Sequence, residues 1–135
     1  MLENKICLYV EDDIGSRIIM KLMLSHLVKV KELIIFEDST NFMSRLSALP
    51  TTPDIILLDI HIEPTNGFEM IHLIRQIPEY QDKPVIALTA SVMSEEVKQL
   101  RAAGFNGTIS KPLPMTEFPA LLQRIALGES VWYTR

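Results

Sequence analysis

Residues 53–67 read PDIILLDIHIEPTNG. Ile55 to Leu58 and then Ile60 bracket a single acid, Asp59, and the run is bounded by Pro53 and by Pro64, Asn66 and Gly67. A short, unbroken apolar run between breakers has the pattern of a strand buried on both faces that stops at a loop. A parallel sheet covered by helices on both sides requires such strands. A carboxylate at the carboxyl end of one stands where open α/β sheets place their ligands. Taken alone, Asp59 is equally a simple turn cap, and the choice rests on the rest of the chain.

Outward from that stretch the chain alternates. Ile6–Val10 (ICLYV) is a second apolar run and ends abruptly in Glu11-Asp12-Asp13. Residues 14–28 carry apolar side chains at helical spacing, with Ile14, Ile18 and Leu22 in one row and Ile19 and Met23 beside it. Asp12 or Asp13 can cap the first turn. Leu33–Phe36 is strand-like, and Ser39 begins a helix to about Leu49, closed by Pro50 and Pro53. After the strand at 54–58, a helix spans Phe68–Ile77 and Pro78 stops it. Val85–Leu88 is a strand. Ser94 caps the next helix, whose inner face is Val97, Leu100 and Ala103 and whose C-terminal glycine is Gly104. Gly107–Ser110 is a weaker strand, and Met115–Leu127 is the last helix. The order βαβαβαβαβα, with one helix per crossover, implies an α/β doubly wound (βα)5 sandwich around a parallel five-stranded sheet. The expected domain is 1–127 with a C-terminal tail, 128–135; Trp132 and Tyr133 in it either dock on the body or begin a linker.

Composition bounds the function. At 135 residues, 47% hydrophobic and 22% charged, the chain has the size and makeup of one globular domain. The net charge of −4 and the lack of clustered Lys and Arg speak against a nucleic-acid surface. No apolar run approaches a membrane span, and MLENK lacks the apolar core of a signal peptide. The single Cys7 forms no internal disulfide and sits in an apolar run, so it reads as core in a cytoplasmic protein.

In a parallel sheet all strand carboxyl ends share one edge. Here that edge carries Glu11, Asp12 and Asp13, then Asp59, Thr89 and Lys111. In the flavodoxin-like order 2-1-3-4-5, strands 1 and 3 adjoin at the switch point and crowd the acids. Crowded carboxylates raise one another's pKa unless a cation lies between them. Oxygen-only ligands suit Mg²⁺ rather than Zn²⁺. A lysine ammonium and a threonine hydroxyl are suitable partners for phosphoryl oxygens. The set reads as a Mg²⁺ site, a carboxylate nucleophile that would form an acyl phosphate, and an oxyanion clamp.

The motifs LYVEDD (8–13), IILLDI (55–60), LTAS (88–91) and ISKP (109–112) resemble, in order and spacing, the receiver domain of two-component response regulators, over residues 5 to about 127. The resemblance implies that Asp59 accepts a phosphoryl group from a histidine kinase or histidine phosphotransfer protein. It implies that Asp12, Asp59 and the backbone carbonyl of His61 ligate Mg²⁺, with Glu11 acting through water. Thr89 would bond the phosphoryl group and move on activation, Lys111 would pair with a phosphoryl oxygen, and the Lys111-Pro112 peptide is often cis in the family. Gly67 matches a glycine usual eight residues after the acceptor. The family register selects Glu11 and Asp12 and leaves Asp13 as a helix cap or solvated charge.

Three positions depart from the family. Thr108 stands where an aromatic switch residue is usual, which leaves the route of activation open. Glu63 stands where the proline after the acceptor is usual, and Pro64 follows. His61 lies two residues past Asp59, either as an exposed loop residue or within reach of the phosphoryl group. His26 and His72 read as helix-surface residues.

The implied function is a phosphorylation-dependent signalling module acting by protein contact, a monomer or weak dimer, with helix 4, strand 5 and helix 5 as the output face. A receiver cut from a hybrid kinase or multidomain regulator carries the same motifs. Beyond its own phosphorylation and dephosphorylation it is not expected to be an enzyme. Haloacid-dehalogenase-type phosphohydrolases need an acid where His61 stands, and a flavin carrier would need a Ser/Thr/Gly-rich loop where the three acids stand. A phosphate-independent pseudo-receiver is the remaining alternative.

Overall fold

The computed structural model describes residues 2–91 and 93–134; Met1 and Arg135, the outer ends of the expected domain and tail, lie outside the described residues. A 3₁₀ turn at Leu2–Asn4 leads into β1 (Ile6–Val10). There follow α1 (Ile14–Leu22), β2 (Glu32–Phe36), α2 (Phe42–Ser47), β3 (Ile55–Asp59), α3 (Gly67–Ile74), β4 (Val85–Thr89), α4 (Ser94–Ala103), β5 (Gly107–Ser110), α5 (Phe118–Ala126) and β6 (Val131–Tyr133). All neighbouring strands are parallel, in the order β2-β1-β3-β4-β5-β6. The flavodoxin-like order 2-1-3-4-5 is present, and β6 is a small addition on the outer side of β5. Trp132 and Tyr133 therefore dock, and the sheet has six strands where five were expected.

Strand parity divides the core. Leu8 and Val10 of β1, Ile56 and Leu58 of β3, and Val85 and Ala87 of β4 pack with Phe42, Met70, Ile71 and Leu100 on one side. Cys7, Tyr9, Ile55, Leu57, Ile86 and Leu88 pack with Met20, Met23, Phe118 and Leu122 on the other. Both faces of β1, β3 and β4 are buried, which is why these strands read as unbroken apolar runs. Cys7 is fully buried, and burial followed by the nearby Asp54 charge pushes its thiol up to about 12, so it is an inert core residue.

Some local expectations are corrected. The first helix is α-helical only to Leu22 and then widens into a π-helical segment, Met23–Leu27. Its core face is Met20, Met23 and Leu24, whereas Ile14, Ile18, Ile19 and Leu22 face solvent. The sequence stripe is thus an exposed apolar strip beside the true inner face. Ser39 is fully buried but does not start a helix: its hydroxyl accepts from Thr65 N at 2.8 Å and ties down the loop after β3, while α2 begins after Asn41, which has φ of 50°. Ser94 is the first residue of α4; the N-cap is Met93, with no side-chain cap bond. The last helix begins at Phe118 instead of Met115.

Candidate functional site

The parallel ladder brings the acids together. Val10 pairs with Leu58, so the residues that follow them, Glu11 just past β1 and Asp59 at the end of β3, stand side by side. Asp13 caps α1, accepting from Ser16 N at 2.8 Å, which is the helix-cap role. On the far side of Asp59 a loop over residues 60–66 leads into α3. Ile60 O accepts from Gly67 N at 3.0 Å, and a Cβ on Gly67 would fall 2.8 Å from Ile60 Cα, so the loop closes this tightly only over a glycine. Asn66 and Glu69 complete a capping box at the start of α3.

Glu11, Asp12 and Asp59 each offer a carboxylate oxygen, and these oxygens lie within 4.8 Å of one another. Glu11 and Asp59 are buried; Asp12 is exposed at the mouth. Lys111 spans the two buried acids, with Nζ 2.8 Å from Glu11 Oε1 and 3.3 Å from Asp59 Oδ1. Tyr9 also donates to Glu11 Oε1, at 2.9 Å. Three hard oxygen donors, two of them drawn from water, form the donor set a small divalent cation takes. Beside them lies an open cleft of about 540 Å³ lined by Asp12, His61, Glu63, Asn66 and Phe68.

The two buried acids divide their protons unequally. Burial raises the Asp59 carboxyl, the bond and charge of Glu11 raise it further, and Lys111 only partly opposes them, so it rests at about 6. Burial raises Glu11 as well, but the bonds from Lys111, Asp59 and Tyr9 outweigh it and hold Glu11 below the usual range. Lys111 is raised by both acids in spite of its burial.

A pH dependence follows. Between about pH 4 and 6 the folded chain keeps a proton on Asp59 that the unfolded chain has released, so this group's contribution falls as pH rises through that window. Glu11 acts in the opposite sense, adding stability above its usual 4.5 and losing it as pH falls. In EDTA, Asp59→Asn is expected to gain about 1–2 kcal/mol over the wild type on going from pH 4.5 to pH 7. Parallel urea titrations of the two chains cancel the groups that do not touch Asp59, and a difference that stays flat with pH would refute the raised Asp59.

The remaining predicted residues are at the edge but not all aimed inward. The Thr89 hydroxyl donates to Glu96 Oε1 of α4 at 3.1 Å and accepts from Ser91 N at 3.1 Å. The same Glu96 oxygen lies 3.6 Å from His61 Nε2. The His61 side chain is therefore an exposed loop group facing α4. Thr108 is buried in β5 and donates to Ala87 O at 2.9 Å, which keeps it inside the sheet. The Lys111-Pro112 peptide is cis, and His26 and His72 are exposed on their helices. Two participants escape the motif reading. Tyr9 shares a strand face with Glu11, a parity that could have been read from the sequence. Glu96 comes from the first turn of α4, and nothing in its local sequence pairs it with Thr89.

The comparisons agree with this geometry. The family model of the response regulator receiver domain matches residues 7–123. An uncharacterised 14.6 kDa protein of Leptolyngbya boryana is 31% identical over 122 residues, which cover 90% of this chain and 89% of that protein. The signal transduction histidine-protein kinase BarA of Escherichia coli is 35% identical over 78 residues, covering 58% of this chain and 8% of the kinase. Among solved structures, the receiver domain of the sensor histidine kinase PA1611 of Pseudomonas aeruginosa, which holds a magnesium ion in its active site cleft, superposes with a TM-score of 0.76 at 24% identity, covering 91% of this chain and 98% of that one. With its parallel fold, its acid cluster on the carboxyl edge and its half-buried lysine, this chain belongs to the response regulator receiver domain family of two-component signalling.

Proposed function

We propose that Asp59 accepts a phosphoryl group from a phosphohistidine of a kinase or phosphotransfer protein, with Mg²⁺ present, and that the chain signals by protein contact. The observation that carries this reading is the cluster of Glu11, Asp12 and Asp59 bridged by Lys111. An Asp59 oxygen attacks phosphorus, the P–N bond breaks, and the donor imidazole leaves and is reprotonated. Glu11, Asp12 and Asp59, with the His61 carbonyl, would hold the ion, which when bound supplies charge neutralisation at the phosphoryl oxygens. Lys111 turns from Asp59 to a phosphoryl oxygen, and Thr89 exchanges Glu96 for another. The chemistry is confined to the chain's own phosphorylation and its hydrolysis, with no turnover of an outside substrate.

The exposed strip of α1 supports a helical donor. Ile14, Ile18 and Leu22 recur every four residues on its open face. Ile19 and Met115 line a largely apolar groove of about 450 Å³ that reaches Lys111. A partner helix laid there brings its histidine to the mouth of the site, and such a patch marks an interaction surface.

The test is intact mass after incubation with acetyl phosphate. The wild type is expected to gain one phosphoryl group with Mg²⁺ and none in EDTA, and Asp59→Asn none in either. An adduct that survives Asp59→Asn, or wild type that stays unmodified with Mg²⁺, rejects the reading; the latter leaves a phosphate-independent interaction module.

A further inference from the structure

β6 brings an aromatic to the place where β5 lacks one. Thr108 pairs in register with Trp132, and the Trp132 ring lies against the Arg101 guanidinium of α4, with Cζ 4.1 Å from its centroid. The Tyr133 hydroxyl donates to Glu117, at the start of α5, at 3.1 Å. Val131 is buried in the core. The segment straps the edge of β5 and touches the helices on both sides of it.

This strap is connected to the acid site. Trp132 contacts Arg101, and the same helix carries Glu96, which holds the Thr89 hydroxyl. The Thr89 carbonyl accepts from Lys111 N at 2.8 Å, joining β4 to β5 at the site. The Thr89 hydroxyl has one proton to donate. When a phosphoryl oxygen takes it, Glu96 loses its bond and α4 loses a tether to the sheet. The strap is short and lies at the sheet's edge: three residues, with Val131 buried and Trp132 and Tyr133 half-buried, joined to α5 through Gly128, whose φ is 94°. A short element at a sheet's edge opens more readily than the central strands it pairs with.

The occupant shows what this edge accepts. The backbone at Val131 is seated directly on Gly107, where a Cβ would fall 2.0 Å from Val131 O. The edge takes an extended strand parallel to β5, with an apolar residue opposite Gly107 and an aromatic next to it, over Arg101.

We infer that β6 is a releasable strand: a phosphoryl group on Asp59 frees it, and the uncovered β5 edge then receives an extended segment of a partner protein with an apolar residue followed by an aromatic. The inference rests on Asp59 being the phosphoacceptor, and intact mass reports that step separately.

The full chain is treated with Mg²⁺ and acetyl phosphate and three signals are read: mass, acrylamide quenching of Trp132 (the single tryptophan of the chain) before peptide is added, and affinity for a fluorescein-labelled peptide of residues 128–134. On phosphorylation, quenching is expected to rise and the peptide to bind about tenfold tighter, because its site is no longer occupied by β6. Val131→Asp is expected to do both without a phosphodonor. Gly107→Ala is expected to expose Trp132 yet refuse the peptide, since the added Cβ blocks any strand there, while Asp59 is still phosphorylated. An adduct by mass with unchanged quenching and peptide affinity overturns the inference and leaves Asp59 as acceptor. Without an adduct the phosphoacceptor reading fails, and the coupling to β6 falls with it. Phosphorylation-dependent dimerisation with no gain in peptide affinity overturns the partner-strand assignment.

Discussion

Arg75→Met is expected to lower the unfolding free energy by about 3 kcal/mol, because one guanidinium organises the end of the sheet opposite the acid cluster. Nε and Nη2 both donate to Gly104 O, at 3.2 and 2.9 Å. Nη1 donates to Tyr80 O at 2.7 Å and to Lys83 O at 2.9 Å, and Nη2 also reaches Asn106 Oδ1 at 2.6 Å. Asn106 Oδ1 in turn accepts from Val85 N at 2.8 Å. The end of α3, the 3₁₀ turn at Pro78–Tyr80, the entry to β4 and the turn from α4 into β5 thus share one donor group. Methionine keeps the apolar stem and removes every donor, leaving three carbonyls and an amide oxygen short of a partner. Each such loss costs about 1–3 kcal/mol when fully buried and less at this half-buried position. Burial lowers the pKa of Arg75, as expected of a cation drawn from water. Arg75→Lys is expected to recover less than half of the loss, since one ammonium lacks the planar fork. Urea unfolding measures both variants. A loss under about 1 kcal/mol in Arg75→Met would mean that water replaces the guanidinium cheaply.

Lys111→Met is expected to reduce the rate of Asp59 phosphorylation by acetyl phosphate about 100- to 1,000-fold, the range for losing one preorganised donor to a developing oxyanion. The resting chain shows a second reason. Lys111 is the cation that opposes the burial of Asp59 and the repulsion from Glu11, so its loss drives the Asp59 proton affinity above the present value of about 6. A carboxyl with a higher proton affinity is ionised, and so nucleophilic, in a smaller fraction of molecules as pH falls toward 6. The variant is also expected to lose about 1–2 kcal/mol of stability at pH 7 and less at pH 5, where Asp59 holds its own proton and only the pair with Glu11 is lost. Rate by intact mass and stability by urea, each at both pH values, separate the two effects. A phosphorylation rate within threefold of wild type would remove Lys111 from the proposed chemistry.

The edge of the sheet was legible because its chemistry is written in short, contiguous motifs. Asp59 ends an apolar run and Lys111 precedes a proline, and topology alone brings them to one edge. After β1, Asp13 caps α1 while Glu11 and Asp12 lie in the cluster with Asp59. Residues that act across elements were not legible. Arg75 looked like one more turn of a helix, because its five bonds go to the turn at 80–83 and to residues 104–106. Ser39 looked like a helix start because a buried hydroxyl tying down a loop and an N-cap serine have the same local signature. The wide apolar stripe of α1 marks a helix, but a helix apolar on two sides does not say which side the sheet covers.

The sequence by itself determined the parallel α/β sandwich and the polar groups on one edge, since apolar period, breakers and right-handed crossovers are local constraints that leave few topologies, while the strand order came with the resemblance to receiver domains. Tertiary structure alone decided which proton each acid holds, that Thr89 faces Glu96 in the resting chain, that α1 leaves an isoleucine strip in solvent, and that Val131–Tyr133 completes the sheet beside Thr108. Those outcomes depend on distances between residues far apart in the chain and on burial by the assembled layers, which periodicity does not carry.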